Sequence, residues 1–211
     1  MLIRLHQGLA VRNIVAESIS NVINGMKVPN TDRAMISIMM HSVVFDSQRA
    51  IFELVKSGNF SSASALLRVM FEAHVKGMWI YSCASELQIK QFKKDALKSS
   101  IKPKNKLEFG EMVDDIEREN PHLGGRLSAF KKHHWKGLNS LTHTGVLQCS
   151  YSFVNGEMKR IFPKSYDHTM LDFANRFSIG SLGDVGRITN DAEIIATAVQ
   201  LINDTIEVKI Q

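Results

Sequence analysis

The sequence has little cysteine and no long apolar run, and these absences argue against two classes of protein. The only cysteines among its 211 residues are Cys83 and Cys149, and they show no Cys-x-x-Cys or Cys/His ligand spacing. Neither a disulfide framework nor a structural zinc site is therefore indicated. No window reaches the roughly 18 apolar residues of a membrane span, and the N-terminus lacks a secretory pattern. We expect a cytoplasmic protein with reduced, buried thiols and no membrane partner.

Strand patterns are also nearly absent, and helical periodicity fills most of the chain. Helices are predicted at about 6–24, 30–57, 59–83, 85–98, 106–119, 126–150, 165–180 and 190–208. Asn155-Gly156 is a tight-turn signal that predicts a small hairpin near residues 152–162. Gly180, Gly183 and Gly186 predict a helix break before the last helix.

The predicted fold class is all-α, a helical bundle of about seven to eight helices. A composition of 44% hydrophobic and 22% charged residues is typical of a globular chain with one sizeable core. We therefore predict that residues 1–211 form a single helical domain. Its core bundle would cover about residues 30–150, and its C-terminal helices about residues 165–208.

The net charge of +5 is unevenly distributed along the chain. One segment opposes the single acid Asp95 with the lysines Lys90, Lys93, Lys94, Lys98, Lys102, Lys104 and Lys106. Residues 108–119 carry six acids against Arg118. A lysine-rich segment attracts a phosphate backbone, which makes these lysines candidate RNA-binding residues. The alternative is a solvated loop that pairs with the acidic helix or with a partner subunit.

An Arg–Glu pair lies within an apolar helical pattern at residues 65–74. Arg68 and Glu72 are four residues apart, which places them on one face of the predicted helix. Asp46 and Arg49 have similar spacing on the preceding helix. If the two helices pack through these faces, the four side chains form an internal polar network, which must be fully hydrogen-bonded to be tolerated.

A histidine among small polar residues marks a second helix. His143 shares a stripe with Lys136, Asn139 and Ser140 on the helix predicted at 126–150. A neutral imidazole beside a cation and hydroxyl groups can act as an acid–base centre near pH 7. The alternative is a structural histidine that hydrogen-bonds to a carboxylate or carbonyl.

These motifs together resemble the HEPN-like group of bacterial helical proteins, which includes abortive-infection proteins and families of unknown function. The resemblance covers roughly residues 30–210. It depends on Ser57-Gly58-Asn59-Phe60, Ala65-Leu66-Leu67-Arg68-x-x-x-Glu72, Trp79-Ile80-Tyr81 and the Ser-x-x-His spacing from Ser140 to His143.

The resemblance implies a homodimer with an Arg-x4–6-His motif from each subunit in a shared cleft. In active members this motif cleaves RNA without a metal or other cofactor. Arg68 to His74 fits the spacing, but Val69 replaces the usual polar residue after the arginine. Lys136 to His143 also fits, but a lysine lacks the bidentate fork that suits a phosphorane-like species.

We therefore favour a combined catalytic site. In this hypothesis Arg68 stabilises the phosphate and His143 is the general base. Glu72 orients either Arg68 or His143. The protein would be a metal-independent endoribonuclease, a toxin or phage-defence effector, with RNA, a second copy of itself and an antitoxin or regulatory protein as partners. The alternative is a catalytically inert HEPN-like homodimeric module that binds a partner protein or small ligand. Other signatures, including a Gly-rich phosphate loop and His-Glu-x-x-His, are missing.

Overall fold

The computed structural model describes residues 14–151, 153–154, 156–159 and 161–207, and most of these residues are helical. The helices are α1 (residues 14–23), α2 (Asp32–Lys56), α3 (Phe60–Ser82), α4 (Glu86–Phe92), α5 (Phe109–Glu119), α6 (Arg126–Thr142), α7 (Val146–Ser150), α8 (Tyr166–Thr189) and α9 (Ala192–Glu207). A 3-10 turn covers Pro121–Leu123. The predicted all-α bundle is confirmed.

The long helices α2 and α3 form an antiparallel hairpin, as their similar lengths predict. Helix α2 begins after Thr31, whose side-chain oxygen accepts a hydrogen bond from the Ala34 N–H at 3.2 Å. It ends before Gly58, whose φ of +76° lies in the left-handed region that favours glycine. Near the other end of the hairpin, the Ser37 hydroxyl of α2 donates to the Gly77 carbonyl of α3 at 2.8 Å.

Helix α8 packs against both α2 and α3 and completes the centre of the bundle. One hydrophobic cluster surrounds Phe71, whose ring contacts those of Phe109, Phe130 and Phe177. A second cluster joins α1, α2, α8 and α9. The C-terminal helices α8 and α9 therefore share a hydrophobic core with α1 and α2. None of the described helices is both long and apolar enough to cross a membrane.

The predicted helix break at the three glycines is wrong, because α8 continues to Thr189. These glycines instead allow neighbouring helices to approach closely. A Cβ at Gly180 would lie 3.4 Å from His74 Cε1, and a Cβ at Gly186 would lie 2.7 Å from Ile195 Cγ1. Close helix packing therefore outweighs the low helix propensity of glycine.

The predicted helix at 126–150 is in fact two helices, because the chain turns at residues 143–145. Thr144 has a φ of +51°, and a Cβ at Gly145 would lie 2.8 Å from Ser140 Cα. The predicted hairpin is confirmed: Phe153–Val154 pairs antiparallel with Glu157–Met158.

The shorter helices also differ from their predicted bounds. The predicted helix at 85–98 ends at Phe92, and the one at 106–119 begins at Phe109. Between them the chain turns back on itself, and residues 98 and 106 form an isolated antiparallel bridge. Of the predicted first helix, residues 6–13 lie outside the described residues, as does Asn155 of the turn.

Both cysteines are free thiols, but they differ in exposure. Cys83 is partly buried, whereas Cys149 is exposed, so the prediction of two buried thiols is wrong for Cys149. Burial raises the pKa of Cys83, against a smaller opposing effect of the Ser82 hydroxyl.

Candidate functional site

Arg68 and Glu72 form the predicted pair on α3. Arg68 Nε donates to Glu72 Oε1 at 2.8 Å, and the two side chains are 20% and 24% exposed. Lys76, one turn further along, lies 3.7 Å from the other oxygen of Glu72. The pair is therefore at the edge of the bundle, where part of the guanidinium reaches solvent.

His143 meets Arg68 from α6, although 75 residues separate them in the sequence. Arg68 Nη1 is in contact with His143 Nε2. A guanidinium has no acceptor, so Nε2 must accept and Nδ1 must carry the proton of a neutral imidazole. The structure thus brings together the three residues of the combined site predicted from the sequence.

The turn after α6 positions this histidine. His143 is the C-cap residue of α6, and its N–H donates to the Asn139 carbonyl at 3.0 Å. Ser140 supports the turn from below, because its hydroxyl accepts from the Leu147 N–H at 3.0 Å. His143 is therefore an exposed side chain at a helix end and not part of a continuous helical stripe.

An aromatic pair lies beneath the guanidinium. Arg68 Cζ is 4.9 Å from the centre of the Trp135 ring, a cation–π distance. Trp135 stacks on Phe109 with 4.6 Å between ring centres and 9° between planes. Glu72, Trp135 and His143 together fix Arg68 from three directions, which limits the conformational entropy it would lose on binding an anion.

Asp46 and Arg49 do not belong to this site. They form their own pair at 2.7 Å on the outer face of α2, with side chains 68% and 61% exposed. Their neighbours Phe45 and Gln48 take the buried positions of that helix. The predicted four-residue network is therefore wrong, since the buried face of α2 is rotated away from both charged residues.

The remaining predicted supporting residues are dispersed. Lys136 is exposed on α6, and Asn139 is partly buried, with an Oδ1 that has no hydrogen-bond partner among the described residues. His74 is buried and faces α8, where its Nδ1 lies 2.9 Å from Ser181 Oγ. An ideal helix separates Arg68 and His74 by about 120°, which explains why they do not converge.

The lysine-rich segment is exposed but extends away from the site. All of its lysines are exposed, and Lys93 pairs with Asp32 at the start of α2 at 3.0 Å. That end of the bundle also holds Ile80 of α3, whose carbonyl accepts from Arg33. Ile80 is twelve residues beyond Arg68, or about 18 Å along a helix. The other end of the segment precedes Phe109, the ring that stacks on Trp135.

A second polar cluster, which the sequence did not reveal as a site, lies inside the bundle. His41 of α2, His74 of α3 and Asp184 of α8 are all buried, and one nitrogen or oxygen from each lies within 4.8 Å of the others. Burial lowers the pKa of His41 to about 4, against the opposing influence of Asp184. Burial also lowers the pKa of His74. Both imidazoles are therefore neutral at pH 7.

The sequence did carry one signal of this cluster. His41 interrupts an apolar stripe of α2 with Ile38 and Phe45, and Gly77 is a helix-interior glycine with no turn to explain it. A Cβ at Gly77 would lie 2.8 Å from His41 Nε2, so this glycine makes room for the imidazole. Which residue fills such a gap depends on how the helices pair, and the spacing within one helix does not determine that.

Comparison with known proteins gives a family but no described activity. Residues 41–207 match the sequence model of DUF6988, a family of unknown function. The chain has no significant match among curated proteins and none among solved structures. The matched region includes α3, the turn at His143 and all three residues of the buried cluster.

Proposed function

The chain belongs to the DUF6988 family, and we propose that this member is a metal-independent endoribonuclease whose active site is Arg68, Glu72 and His143. The observation that carries the proposal is the contact between the fixed guanidinium of Arg68 and the exposed imidazole of His143. A cation and a neutral base, side by side at the surface, are what cleavage of RNA by its own 2′-hydroxyl requires.

Each residue has a defined task in this reaction. Entry of the substrate separates His143 Nε2 from Arg68, so that Nε2 is free to remove the proton of the 2′-hydroxyl. The 2′-oxygen attacks the adjacent phosphorus and displaces the 5′-oxygen of the next nucleotide, which takes up a proton from solvent water. The phosphate enters between His143 and Arg68, and the guanidinium stabilises the charge that develops on the non-bridging oxygens. Glu72 holds Arg68 in place through Nε, which leaves Nη2 for substrate, and Nη1 as well once its contact with His143 opens. The products are a 2′,3′-cyclic phosphate and a 5′-hydroxyl.

Two features of the surroundings support binding of a polyanion. Lys76 lies beside Glu72 and adds positive charge next to the site. The exposed lysines of the lysine-rich segment end at Lys106, three residues before Phe109 of the aromatic pair below Arg68. A single strand that runs from the site along this segment would be held by its phosphates without regard to sequence.

The experiment is cleavage of end-labelled RNA by purified protein in excess EDTA, comparing wild type with His143→Ala and His133→Ala. His133 is the matched control because it is an exposed histidine of α6, and its Nδ1 lies 2.7 Å from the Ala129 carbonyl of its own helix. We expect His143→Ala to lose at least about 100-fold in rate, the usual contribution of a general base. His133→Ala should keep the wild-type rate, and the products should end in a 2′,3′-cyclic phosphate.

Equal cleavage by all three proteins, or none by any, would contradict the proposal.

The alternative is an inert homodimeric module in which the same contacts serve structure only. It is favoured by one observation: Arg68 joins α3 to α6 by contacts with both Trp135 and His143. In that case His143→Ala would lower the free energy of unfolding and would change no activity.

A further inference from the structure

We propose that His41, His74 and Asp184 form a binding site for a divalent transition-metal ion of the Zn²⁺ type, separate from the Arg68–His143 site. These residues come from α2, α3 and α8, the three helices at the centre of the bundle. An ion at this point would link all three helices. The inference does not depend on the ribonuclease proposal.

The ligand atoms have the right chemistry and nearly the right spacing. One atom from each residue lies within 4.8 Å of the other two. Two ligands of a tetrahedral ion at about 2.0–2.1 Å from the metal are roughly 3.4 Å apart. Binding must therefore draw the groups inward by about 1 Å, which is within the reach of side-chain rotation.

His41 is the strongest single indication of a missing partner. It is completely buried, and neither of its ring nitrogens has a hydrogen-bond partner among the described residues. An unsatisfied buried polar group costs about 1–3 kcal/mol, so native proteins seldom keep one without a reason. Coordination of a metal ion would satisfy one nitrogen of this imidazole.

Asp184 is already oriented by an outer partner, Arg187. Asp184 uses Oδ1 to accept from Arg187, while Oδ2 faces His74 Nδ1 at 3.9 Å. His74 Nδ1 also lies 2.9 Å from Ser181 Oγ. An outer partner of this kind is usual for a metal-binding carboxylate, because it fixes the carboxylate plane. The Ser181 contact uses the ring nitrogen of His74 that faces Asp184, so an ion bound at Nδ1 would take its place.

A cavity gives access to the cluster from one side. It has a volume of about 180 Å³, and His41, Asp184 and Arg187 contribute to its wall together with Tyr81, Ser82 and Asn120. Two imidazoles and one carboxylate leave a fourth position free, and the cavity has room there for water or a small ligand. Neutral nitrogen ligands with a single carboxylate favour Zn²⁺ and similar ions over Mg²⁺ or Ca²⁺.

The test is titration of chelator-treated, dialysed protein with Zn²⁺, followed by calorimetry and thermal unfolding. We expect one tightly bound ion per chain. At a free Zn²⁺ concentration about 100 times the Kd, Tm should rise by about 5–10 °C. His41→Gln and Asp184→Asn should each abolish the tight binding and the rise in Tm. His143→Gln, which changes an exposed histidine of the other site, should retain both.

Two outcomes would overturn the proposal. One is the absence of tight binding to the wild-type protein. The other is tight binding that persists in both His41→Gln and Asp184→Asn, which would assign the ion to surface histidines. Asp184→Asn nearly preserves side-chain volume, so it keeps the test decisive if His41→Gln fails to fold by circular dichroism.

Discussion

The two faces of α3 carry two polar sites of opposite character. Arg68 and Glu72 form an ion pair at the edge of the bundle, with a histidine beside them that is exposed to solvent. Six residues along the same helix, His74 lies beside another histidine and a carboxylate in the interior. Solvent exposure separates them: the first site is open to solvent at His143, whereas burial lowers the pKa of both imidazoles at the second.

This difference indicates two kinds of role. An exposed cation and base can receive a large charged substrate once the contact between Arg68 and His143 opens to admit a phosphate. Buried ligands reached through a small cavity suit an ion or a small molecule, since a polymer cannot enter. Changes at the first site should therefore act mainly on activity, and changes at the second mainly on stability.

The largest effect is expected from Arg68→Lys, measured as the rate of RNA cleavage in EDTA. Lysine keeps the charge but lacks the planar fork that donates to Glu72 and to phosphate together, so we expect a loss of about 100-fold or more. The free energy of unfolding should change by less than about 1–2 kcal/mol, because the side chain is partly exposed. Arg49→Lys is the matched control on the outer face of α2. Similar cleavage rates in Arg68→Lys and Arg49→Lys would contradict a role for Arg68 in cleavage, and the first site would then not differ from the second in acting on activity.

The next largest effect is a loss of stability at acid pH, caused by His41 of the buried site. Between pH 6.5 and 4 the unfolded chain protonates His41, but the folded protein does not, since burial lowers its pKa to about 4 despite Asp184, while His74 and Arg187 oppose protonation. The contribution of His41 to the free energy of unfolding is therefore complete above pH 6.5. It is lost as the pH falls towards 4, which lowers the free energy of unfolding by up to about 3 kcal/mol. Urea unfolding in EDTA across this range measures it. His41→Gln should flatten the curve, and an equally steep curve in that variant would contradict the assignment.

A contact between residues of one helix can be predicted from the sequence, whereas a contact between helices depends on how those helices pack. Arg68 and Glu72 are four residues apart on one helix, so their pairing follows from helical geometry alone. The contact with His143 requires two helices to meet, and it is predicted because neither the Arg68–His74 motif nor the Lys136–His143 motif fits fully by itself. The role of Gly180 was misread, because a helix-interior glycine signals either a break or a close contact, and only packing decides between them.

The buried site was missed for the same reason. His41, His74 and Asp184 lie on three helices, and no spacing within one helix connects them. A histidine within an apolar stripe, such as His41, also stands out less in a sequence than a charged residue such as Arg68. A polar residue in an apolar stripe, facing a helix-interior glycine on a neighbouring helix, is the combined signal that could have revealed it.

A smaller effect is expected from two glycine substitutions. Gly77→Ala places a Cβ 2.8 Å from His41 Nε2, whereas Gly183→Ala places one 4.0 Å from Ala198 Cβ. Overpacking costs about 1–3 kcal/mol, which exceeds the gain of up to about 1 kcal/mol from replacing a helical glycine. Chemical denaturation should show Gly77→Ala to be destabilised and Gly183→Ala to be unchanged or more stable. Equal stabilisation of both would mean that His41 is not tightly held.

The smallest effect is expected from the two cysteines, which report on the two regions separately. Cys149 is exposed and lies 3.5 Å from the Thr144 carbonyl in the turn after His143, whereas Cys83 follows Ser82, which lines the cavity. The thiolate is the reactive form, and burial raises the pKa of Cys83. Iodoacetamide at pH 8 should modify Cys149 about ten times faster than Cys83, as resolved by peptide mass spectrometry. Urea should abolish this ratio, because unfolding exposes both thiols equally, and Cys149→Ser provides the control that isolates the slow rate. Equal rates in the folded protein would mean that the cavity side of α3 opens as readily as the turn at His143, and the contrast between a solvated and a protected site would not hold.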